Sequence, residues 1–388
     1  MPSFDWIVVG NGLTGAALGY ELARQGFSVL LLDRSPQPPS ATLYSYGGIP
    51  HWTGKTDLTR QLCKAGMARH RALLEETGVD TELRELDLLL TVPVGADPVA
   101  VAQGYAGVET LPVPLEVAEA VALEPLLNPD AIGGALTVRH GHVNPTALVR
   151  AYNEGLQALG GQRVIAPVTG LVRVGDRVTG VLTPSQAYAA GQVAIAAGGD
   201  TRALLQTHGL KVPVYFTYAE LIETLPLDLT LRTLVMPANL TRSTLEQEAT
   251  LPETEPHWEK GDLELMAPIL DVGVVQFQDG HCRIGQISRI HTNPHPTVDA
   301  MESEAKIRHG IEQYVPDLVS VPGQWRGCTV AFSRDGLPLA GPIPGVEGLA
   351  VFSGFSGPFI LVPGLAEQFA RWATGASVSI MAAVAPGR

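Results

Sequence analysis

The chain is short of several things, and each shortage excludes a class of protein. Its 388 residues hold only three cysteines, Cys63, Cys282 and Cys328, at no paired spacing. Neither a disulfide framework nor a zinc cluster is expected, and a reducing compartment fits. Cations are outnumbered, with 26 Lys and Arg against 39 Asp and Glu, a net charge of −13 at pH 7. That balance argues against nucleic acid or an anionic membrane surface as a partner. No apolar run approaches the roughly 18 residues that a membrane span requires. No signal peptide is visible, since an apolar strand begins at once and carries Asp5. A cytoplasmic protein is the expectation. No internal repeat is present. What the chain does have is 45% apolar residues, enough for a sizeable core, with 42 Gly and 30 Pro for many turns. The length suits two domains, or one with a large insertion.

The first 34 residues carry the strongest signal. Phe4-Asp5-Trp6-Ile7-Val8-Val9 reads as a buried strand that stops at Gly10-Asn11-Gly12-Leu13-Thr14-Gly15. A helix follows, with Ala16, Ala17, Leu18, Leu22 and Ala23 on its sheet-facing side and Gly26 at its end. Phe27 to Leu32 is a second buried strand, closed by Asp33 and Arg34. Strand, glycine turn, helix, strand and acid form the context that a dinucleotide-binding fingerprint needs. Gly10 permits the tight turn, Gly12 lets the backbone approach a pyrophosphate, and Gly15 lets the helix pack on the strand. The helix start supplies free N–H groups to an anion. Asp33 lies 23 positions after Gly10, close to the spacing of about 20 at which a carboxylate reaches a ribose hydroxyl. Asp33 would repel a 2′-phosphate, which disfavours NADP. The stretch alone does not choose between NAD and FAD.

Further along, Ser35 to Pro39 is an extended loop leading to Ser40–Trp52, where small hydroxyl residues and paired glycines allow close approach to a ligand. Helices are predicted at Leu58–Thr77, Leu115–Leu127, Thr146–Leu159, Glu302–Tyr314 and Gly364–Thr374. Strands are predicted at Glu82–Val92, Gln192–Gly199, Trp325–Asp335 and Leu349–Gly354. Val164–Val174 and Arg177–Leu182 read as a hairpin turning at Gly175-Asp176. Val212–Gly285 reads as short strands of a mostly antiparallel sheet. Glu246–Glu264, rich in acids and proline, reads as a solvated excursion. Parallel-sheet signals at the start, near Val193 and near Leu349 flank antiparallel material. The fold class is therefore α/β, a discontinuous Rossmann-like domain with an inserted, mostly antiparallel α+β substrate domain.

Three motifs bring a family into view: the opening fingerprint, the strand ending Ala196-Ala197-Gly198-Gly199, and Asp335-Gly336-Leu337-Pro338-Leu339-Ala340-Gly341-Pro342 followed by Gly354-Phe355-Ser356-Gly357. In this order they resemble the D-amino acid oxidase-like (DAO) FAD-dependent oxidoreductases, in particular the glycine oxidase and monomeric sarcosine oxidase branch. The resemblance covers the whole chain. It implies FAD, and oxidation of a C–N bond by hydride transfer to the flavin. The division that goes with it is 1–80, 140–211 and 326–388 for FAD, and 81–139 and 212–325 for substrate. Gly10, Gly12, Leu13, Thr14, Gly15, Asp33 and Arg34 would hold the ADP half. Ser45, Tyr46, Gly47, Gly48 and Ile49 would run along the flavin. Val168 would lie near the adenine, and Gly198 and Gly199 near the pyrophosphate. Gly354, Phe355, Ser356, Gly357 and Phe359 would sit at the isoalloxazine ring, whose oxygen edge needs N–H groups and a helix dipole. Cys328 aligns with the cysteine that carries flavin covalently in sarcosine oxidases; otherwise it is a small buried thiol.

The substrate end departs from the pattern. Gly357 is followed by Pro358-Phe359-Ile360-Leu361, with no basic residue to hold a carboxylate. Thr329 or Val330 stands where glycine oxidases place an arginine. Arg283 aligns with the lysine of sarcosine oxidases, and Ile287 with their active-site histidine. His51, Arg283 and Tyr218 are the catalytic candidates, with Tyr44, Tyr46 and Tyr215 as further groups to find near the pocket. His51 could take a proton from an ammonium substrate, and Arg283 could pair with a carboxylate. A structural hydrogen bond, an ion pair and a packed ring are the plain alternatives for these three. His140 with His142, and His291 with His295, lack the company a metal needs, so no metal is expected. Three functions remain: an oxidase passing electrons to O2, a dehydrogenase using a quinone or protein acceptor, and a flavin-binding protein without amine turnover. Sequence does not address the oligomeric state.

Overall fold

Strand Ser3–Val9 is flanked by Val29–Asp33 and Ala187–Ile195, parallel to both. Val29–Asp33 is buried at every position, as expected of a strand covered on both faces, and this is why it reads as an unbroken apolar run. Gln162–Ile165 extends the sheet beyond Val29–Asp33, and Leu349–Ser353 extends it beyond Ala187–Ile195, both parallel. Antiparallel Leu339–Pro342 and the hairpin Gly170–Val174/Arg177–Leu182 complete eight strands. The described residues of this computed structural model are 3–36 and 40–388. Met1 and Pro2 lie outside them, as do Gln37, Pro38 and Pro39 of the expected extended loop.

Four helices, Leu13–Arg24, Asp57–Thr77, Pro145–Ala158 and Pro358–Ala373, pack on one face of this sheet around Val8, Leu31, Phe352 and Phe369. A buried ionic cluster ties two of them together. Arg69 Nη1 and Nη2 donate to the two carboxylate oxygens of Glu76 at 2.7 and 2.6 Å, and its Nε donates to Glu21 at 2.9 Å. Glu21 is fully buried, so its charge depends on these partners.

The second sheet has nine strands. Its order is Gly323–Ser333, Val214–Thr224, Cys282–Ile290, Ile269–Gln276, Leu234–Pro237, Arg84–Pro93, Ile132–His142 and Gly48–Ile49, with Val113–Leu115 paired beside Ile132–His142. Only Leu234–Pro237 and Arg84–Pro93 run parallel. Helix Ala300–Tyr314 covers one face through Ile307 and Ile311, which pack with Ile222 and Ile284. Strand Gly323–Ser333 pairs along its length with Val214–Thr224, so it spans the expected boundary between positions 325 and 326.

Three local expectations need correction. Val164 and Ile165 are not hairpin residues; they pair in parallel with Leu32 and Asp33. The last long helix starts at Pro358 rather than near Gly364, because Pro363 sits inside it without ending it. The stretch Glu246–Glu264 is not simply solvated. Glu246 and Glu248 belong to helix Thr241–Glu248, and Trp258 is buried against Tyr215 and Phe216 at ring distances of 5.1 and 5.3 Å. Two of its acids are paired with arginines from elsewhere in the chain: Glu255 meets Arg334 at 2.8 Å and Glu259 meets Arg202 at 3.0 Å. Acid-rich composition misleads where carboxylates such as Glu255 and Glu259 face arginines.

Candidate functional site

Between the two sheets lies a cavity of about 810 Å³. One end is the glycine turn. Gly10 holds a φ of +106°, and a Cβ there would come 2.5 Å from the Ala196 carbonyl oxygen. A Cβ on Gly15 would fall 1.7 Å from the Gly10 oxygen, so helix and strand meet backbone to backbone. Asp33 accepts from the Asn11 N–H at 2.5 Å and from the Ser35 N–H at 3.3 Å. These bonds lock the turn to the end of the second strand.

The wall then runs through Gly10, Gly12, Thr14, Asp33 and Arg34, past Ala166, Pro167 and Val168, to Gly198 and Gly199, and ends at Tyr218, Gly327, Cys328 and Thr329. Leu13 is buried in the helical core rather than on the wall; its N–H donates to the Thr42 hydroxyl oxygen at 3.0 Å. Ser40, Ala41 and Thr42 also line the cavity. Across its glycine-turn end, Arg34 meets Asp200 at 3.0 Å, and Asp200 meets His295 Nε2 at 2.9 Å. His295 and Pro296 come from the loop after the strand Cys282–Ile290 and close that side. Sequence reasoning missed Asp200 and Pro296 and weighed His295 only as a metal ligand, since loops far apart in the chain bring the three together.

At the far end, the strand register places Tyr218 beside Thr329 and Ala219 beside Cys328. A Cβ on Gly327 would lie 2.1 Å from the Tyr218 hydroxyl, so the missing side chain makes room for that ring. Burial pushes the Tyr218 hydroxyl up to about 12, with Glu220 and Cys328 adding to it. Burial likewise pushes the Cys328 thiol up to about 12, against the pull of Arg242 and Arg283.

The other two catalytic candidates stand off the wall. Arg283 donates to the Ser45 carbonyl and to Glu223 at 3.0 Å, and lies 4.8 Å over the Phe277 ring. Glu223 also accepts from Arg326 Nε at 3.2 Å, so one carboxylate clamps two guanidinium groups. His51 keeps a buried Nε2 without a partner, and burial depresses its pKa against an opposing effect from Glu85. The loop Ser45–Ile49 packs behind the cavity rather than lining it: Gly48 and Ile49 pair with His142 and Gly141, and the Tyr46 hydroxyl is buried without a partner. The Gly47 N–H reaches the Ser45 hydroxyl at 3.1 Å. Gly354, Phe355, Ser356, Gly357 and Phe359 form the turn into helix Pro358–Ala373, with Phe355 packed on Phe352 at 5.0 Å and Gly357 near Pro50. Tyr44 lies under Arg326, 5.7 Å away, while Tyr215 is tied to Glu255 and Arg334, away from the cavity. Among the described residues no group of three or more His, Cys, Asp or Glu converges as a metal site would, and no helix is long and apolar enough to cross a membrane.

The residues present fit FAD. The glycine turn, the buried acid at the second strand end and the small residues at Gly198 and Gly199 make a cradle that side chains would fill, and the cavity continues from it to the second sheet. Fold and site thus define a dinucleotide-binding oxidoreductase with a mixed, mostly antiparallel second sheet. Residues 5–372 match the DAO family of FAD dependent oxidoreductases, and the chain belongs to that family. It is an FAD-dependent enzyme acting on amine or amino-acid donors. The glycine oxidase of Pseudomonas putida is 25% identical over 394 residues, covering 95% of this chain and 94% of that one. The 4-methylaminobutanoate oxidase (formaldehyde-forming) of Paenarthrobacter nicotinovorans is 29% identical over 224 residues, covering 54% of this chain and 26% of that one. The crystal structure of glycine oxidase from Geobacillus kaustophilus superposes with a TM-score of 0.80 at 21% identity, covering 100% of this chain and 99% of that one, a likeness of fold.

Proposed function

We propose that the protein oxidises the C–N bond of a small amine or amino acid, of the glycine, sarcosine or D-amino-acid type, to an imine, with O2 as the final acceptor and H2O2 as product. The observation that carries this reading is the continuity of the cavity from the Gly10–Gly15 turn to the wall of Tyr218, Gly327 and Cys328. Bound there, FAD would take the hydride from the carbon beside nitrogen and pass the electron pair to oxygen. Gly10, Gly12, Thr14, Asp33 and Arg34 would hold its ADP half, and Val168, Gly198 and Gly199 its middle. Tyr218 would cover the reacting end and keep water out. Arg283 would act from behind the wall, by holding the Ser45 carbonyl and so the loop Ser45–Ile49. The segments 1–80, 140–211 and 326–388 would serve the cofactor, and 81–139 and 212–325 the substrate, with strand Gly323–Ser333 common to both.

A second reading has the same chemistry with a quinone or protein acceptor. It is favoured by Arg283, whose charge is offset by Glu223 at 3.0 Å where sarcosine oxidases carry a lysine. Anaerobic mixing of the FAD-loaded protein with N-methyl, cyclic and D-amino acids tests both. Flavin bleaching by at least one of them is expected, and no bleaching by any would sink amine oxidation. Fast reoxidation in air with stoichiometric peroxide supports the oxidase; slow return with little peroxide, hastened by a quinone, supports the dehydrogenase.

A further inference from the structure

Three segments from distant parts of the chain meet at Asp200, and Arg34, Asp200 and His295 all line the cavity. Asp200 Oδ2 accepts from Arg34 Nη1 at 3.0 Å, just past strand Val29–Asp33. Its Oδ1 accepts from His295 Nε2 at 2.9 Å, in the loop that follows strand Cys282–Ile290. Asp200 ends the turn Gly198–Asp200 and precedes helix Thr201–Gln206, yet its side chain makes no capping bond to that helix. The carboxylate is given over to these two partners, one from each side of the cavity.

The His295 loop is stiff, and it is fastened from the side of the second sheet. His295 lies between Pro294 and Pro296, whose rings fix φ on either side of it. The Pro294 carbonyl accepts from the Thr329 hydroxyl, the His295 N–H donates to Asn293 Oδ1 at 2.9 Å, and Asn293 Nδ2 donates to Asp262 at 3.0 Å. Towards the first sheet, among the described residues, the loop's one hydrogen bond is that from His295 to Asp200. A Cβ on Gly199 would fall 2.3 Å from Thr329 Cγ2. The turn that carries Asp200 therefore sits against the strand that holds the loop. The side chains of Arg34, Asp200 and His295 are 48%, 34% and 60% exposed, so each contact is weak beside the buried Arg69–Glu21 pair. A weak link across a mouth can hold it closed and still open.

We propose that Asp200 and His295 are cofactor-retaining residues: they latch the loop 292–296 of the second sheet over the ADP half of FAD, which passes in and out only while their contact is open. This rests on the reading that the ADP half lies at the Gly10–Asp33 end of the cavity. The latch is made between protein atoms, so it opens and closes in loaded and empty protein alike. Its loss speeds uptake and release together and leaves the affinity little changed. A residue that only touched the cofactor would change release and leave uptake as it was.

The test reads flavin fluorescence and not turnover. Uptake of FAD by the apoprotein, and its release from the loaded protein on dilution, are timed for the parent protein, His295→Ala, Asp200→Ala and the double variant. If FAD is tethered to Cys328, all four carry Cys328→Ser. Each single change should raise both rates about two- to fivefold, the scale set by exposed charge pairs, with Kd changing by less than either rate. The double variant should match Asp200→Ala, because both changes break one contact. His295→Gln, which keeps an N–H donor, should recover part of the slow exchange. Faster release with unchanged uptake would make Asp200 a cofactor contact and overturn the latch. Parent-like rates in both single variants, or additive effects in the double one, would also overturn it. AMP, which fills only the ADP end, separates the latch from the reading beneath it. Failure of AMP to compete with FAD uptake sinks the placement of the ADP half and the latch with it. Competition by AMP with parent-like rates in the variants sinks the latch alone.

Discussion

His70 Nε2 stands 2.6 Å from the carbonyl oxygen of Phe359. In an α-helix that carbonyl would accept from the residue four positions on, which is Pro363 and has no N–H. His70 is 2% exposed and supplies the missing donor from the neighbouring helix Asp57–Thr77. His70→Phe leaves a buried carbonyl unpartnered and should cost about 1–3 kcal/mol in urea unfolding. Pro363→Ala restores an N–H at that position, so the two changes should be coupled. Additive free energies in the double-mutant cycle would refute the relationship.

The glycine turn should tolerate no side chain. Gly15→Ala puts a methyl group 1.7 Å from the Gly10 oxygen, which forces helix and strand apart. The purified variant should carry little FAD, and its melting temperature should fall by several degrees, corresponding to roughly 1–3 kcal/mol of overpacking. A full complement of bound flavin at unchanged stability would contradict this account of the turn.

Cys328 sits in the cavity wall with its thiol pushed up to about 12 by burial. If a thioether to the flavin forms, acid precipitation of the protein should leave the yellow colour in the pellet, and Cys328→Ser should release it to the supernatant. Complete release from the parent protein rules the link out, and leaves Cys328 as a packing residue.

Three buried histidines should make the fold sensitive to mild acid. Burial lowers His70 to about 4 and both His140 and His142 to about 3, against about 6.5 in an unfolded chain. As pH falls below 6.5 the unfolded state gains protons that the folded state refuses. The stabilisation is therefore complete above that pH and shrinks down towards 4 and then 3. Each histidine contributes a slope approaching about 1.4 kcal/mol per pH unit in that window. His140 Nδ1 accepts from Trp52 Nε1 at 3.1 Å, so protonation there also opposes a native bond. His140→Gln should flatten the dependence of the urea midpoint on pH between 6.5 and 4. Equal midpoints at pH 7 and pH 4.5 in the parent protein would overturn the prediction.

Arg69 links helices Leu13–Arg24 and Asp57–Thr77 through Glu21 and Glu76. Arg69→Met strands the fully buried carboxylate of Glu21 and should cost about 3–5 kcal/mol. Adding Glu21→Gln should recover part of that loss. Failure of the second change to recover stability would show that packing, not charge, dominates.

Legibility followed distance along the chain. Gly10, Gly12, Gly15 and Asp33 belong to one strand–helix–strand unit, so their roles stand in a single contiguous pattern. The parallel strands near Val193 and Leu349 were readable for a related reason: burial on both faces leaves an apolar run that needs no partner to be recognised. Tyr218 and Cys328 were readable as candidates, but their meeting depends on the register between Val214–Thr224 and Gly323–Ser333. The helix start at Pro358 was obscured because the donor that rescues Phe359 comes from His70, 289 residues away.

By itself the sequence marked the amino-terminal turn as a dinucleotide-binding fingerprint, and its motifs in order pointed to FAD. Those features are local, set by backbone sterics and the free N–H groups of one helix start. Only the tertiary structure decided which polar groups face the cavity. It set His51 and Arg283 behind the wall, brought Asp200 and His295 to the mouth, and gave Glu255 and Glu259 of an acid-rich stretch the partners Arg334 and Arg202. Such groupings arise where strand register and loop paths bring distant residues within hydrogen-bond range, and no spacing along the chain encodes them.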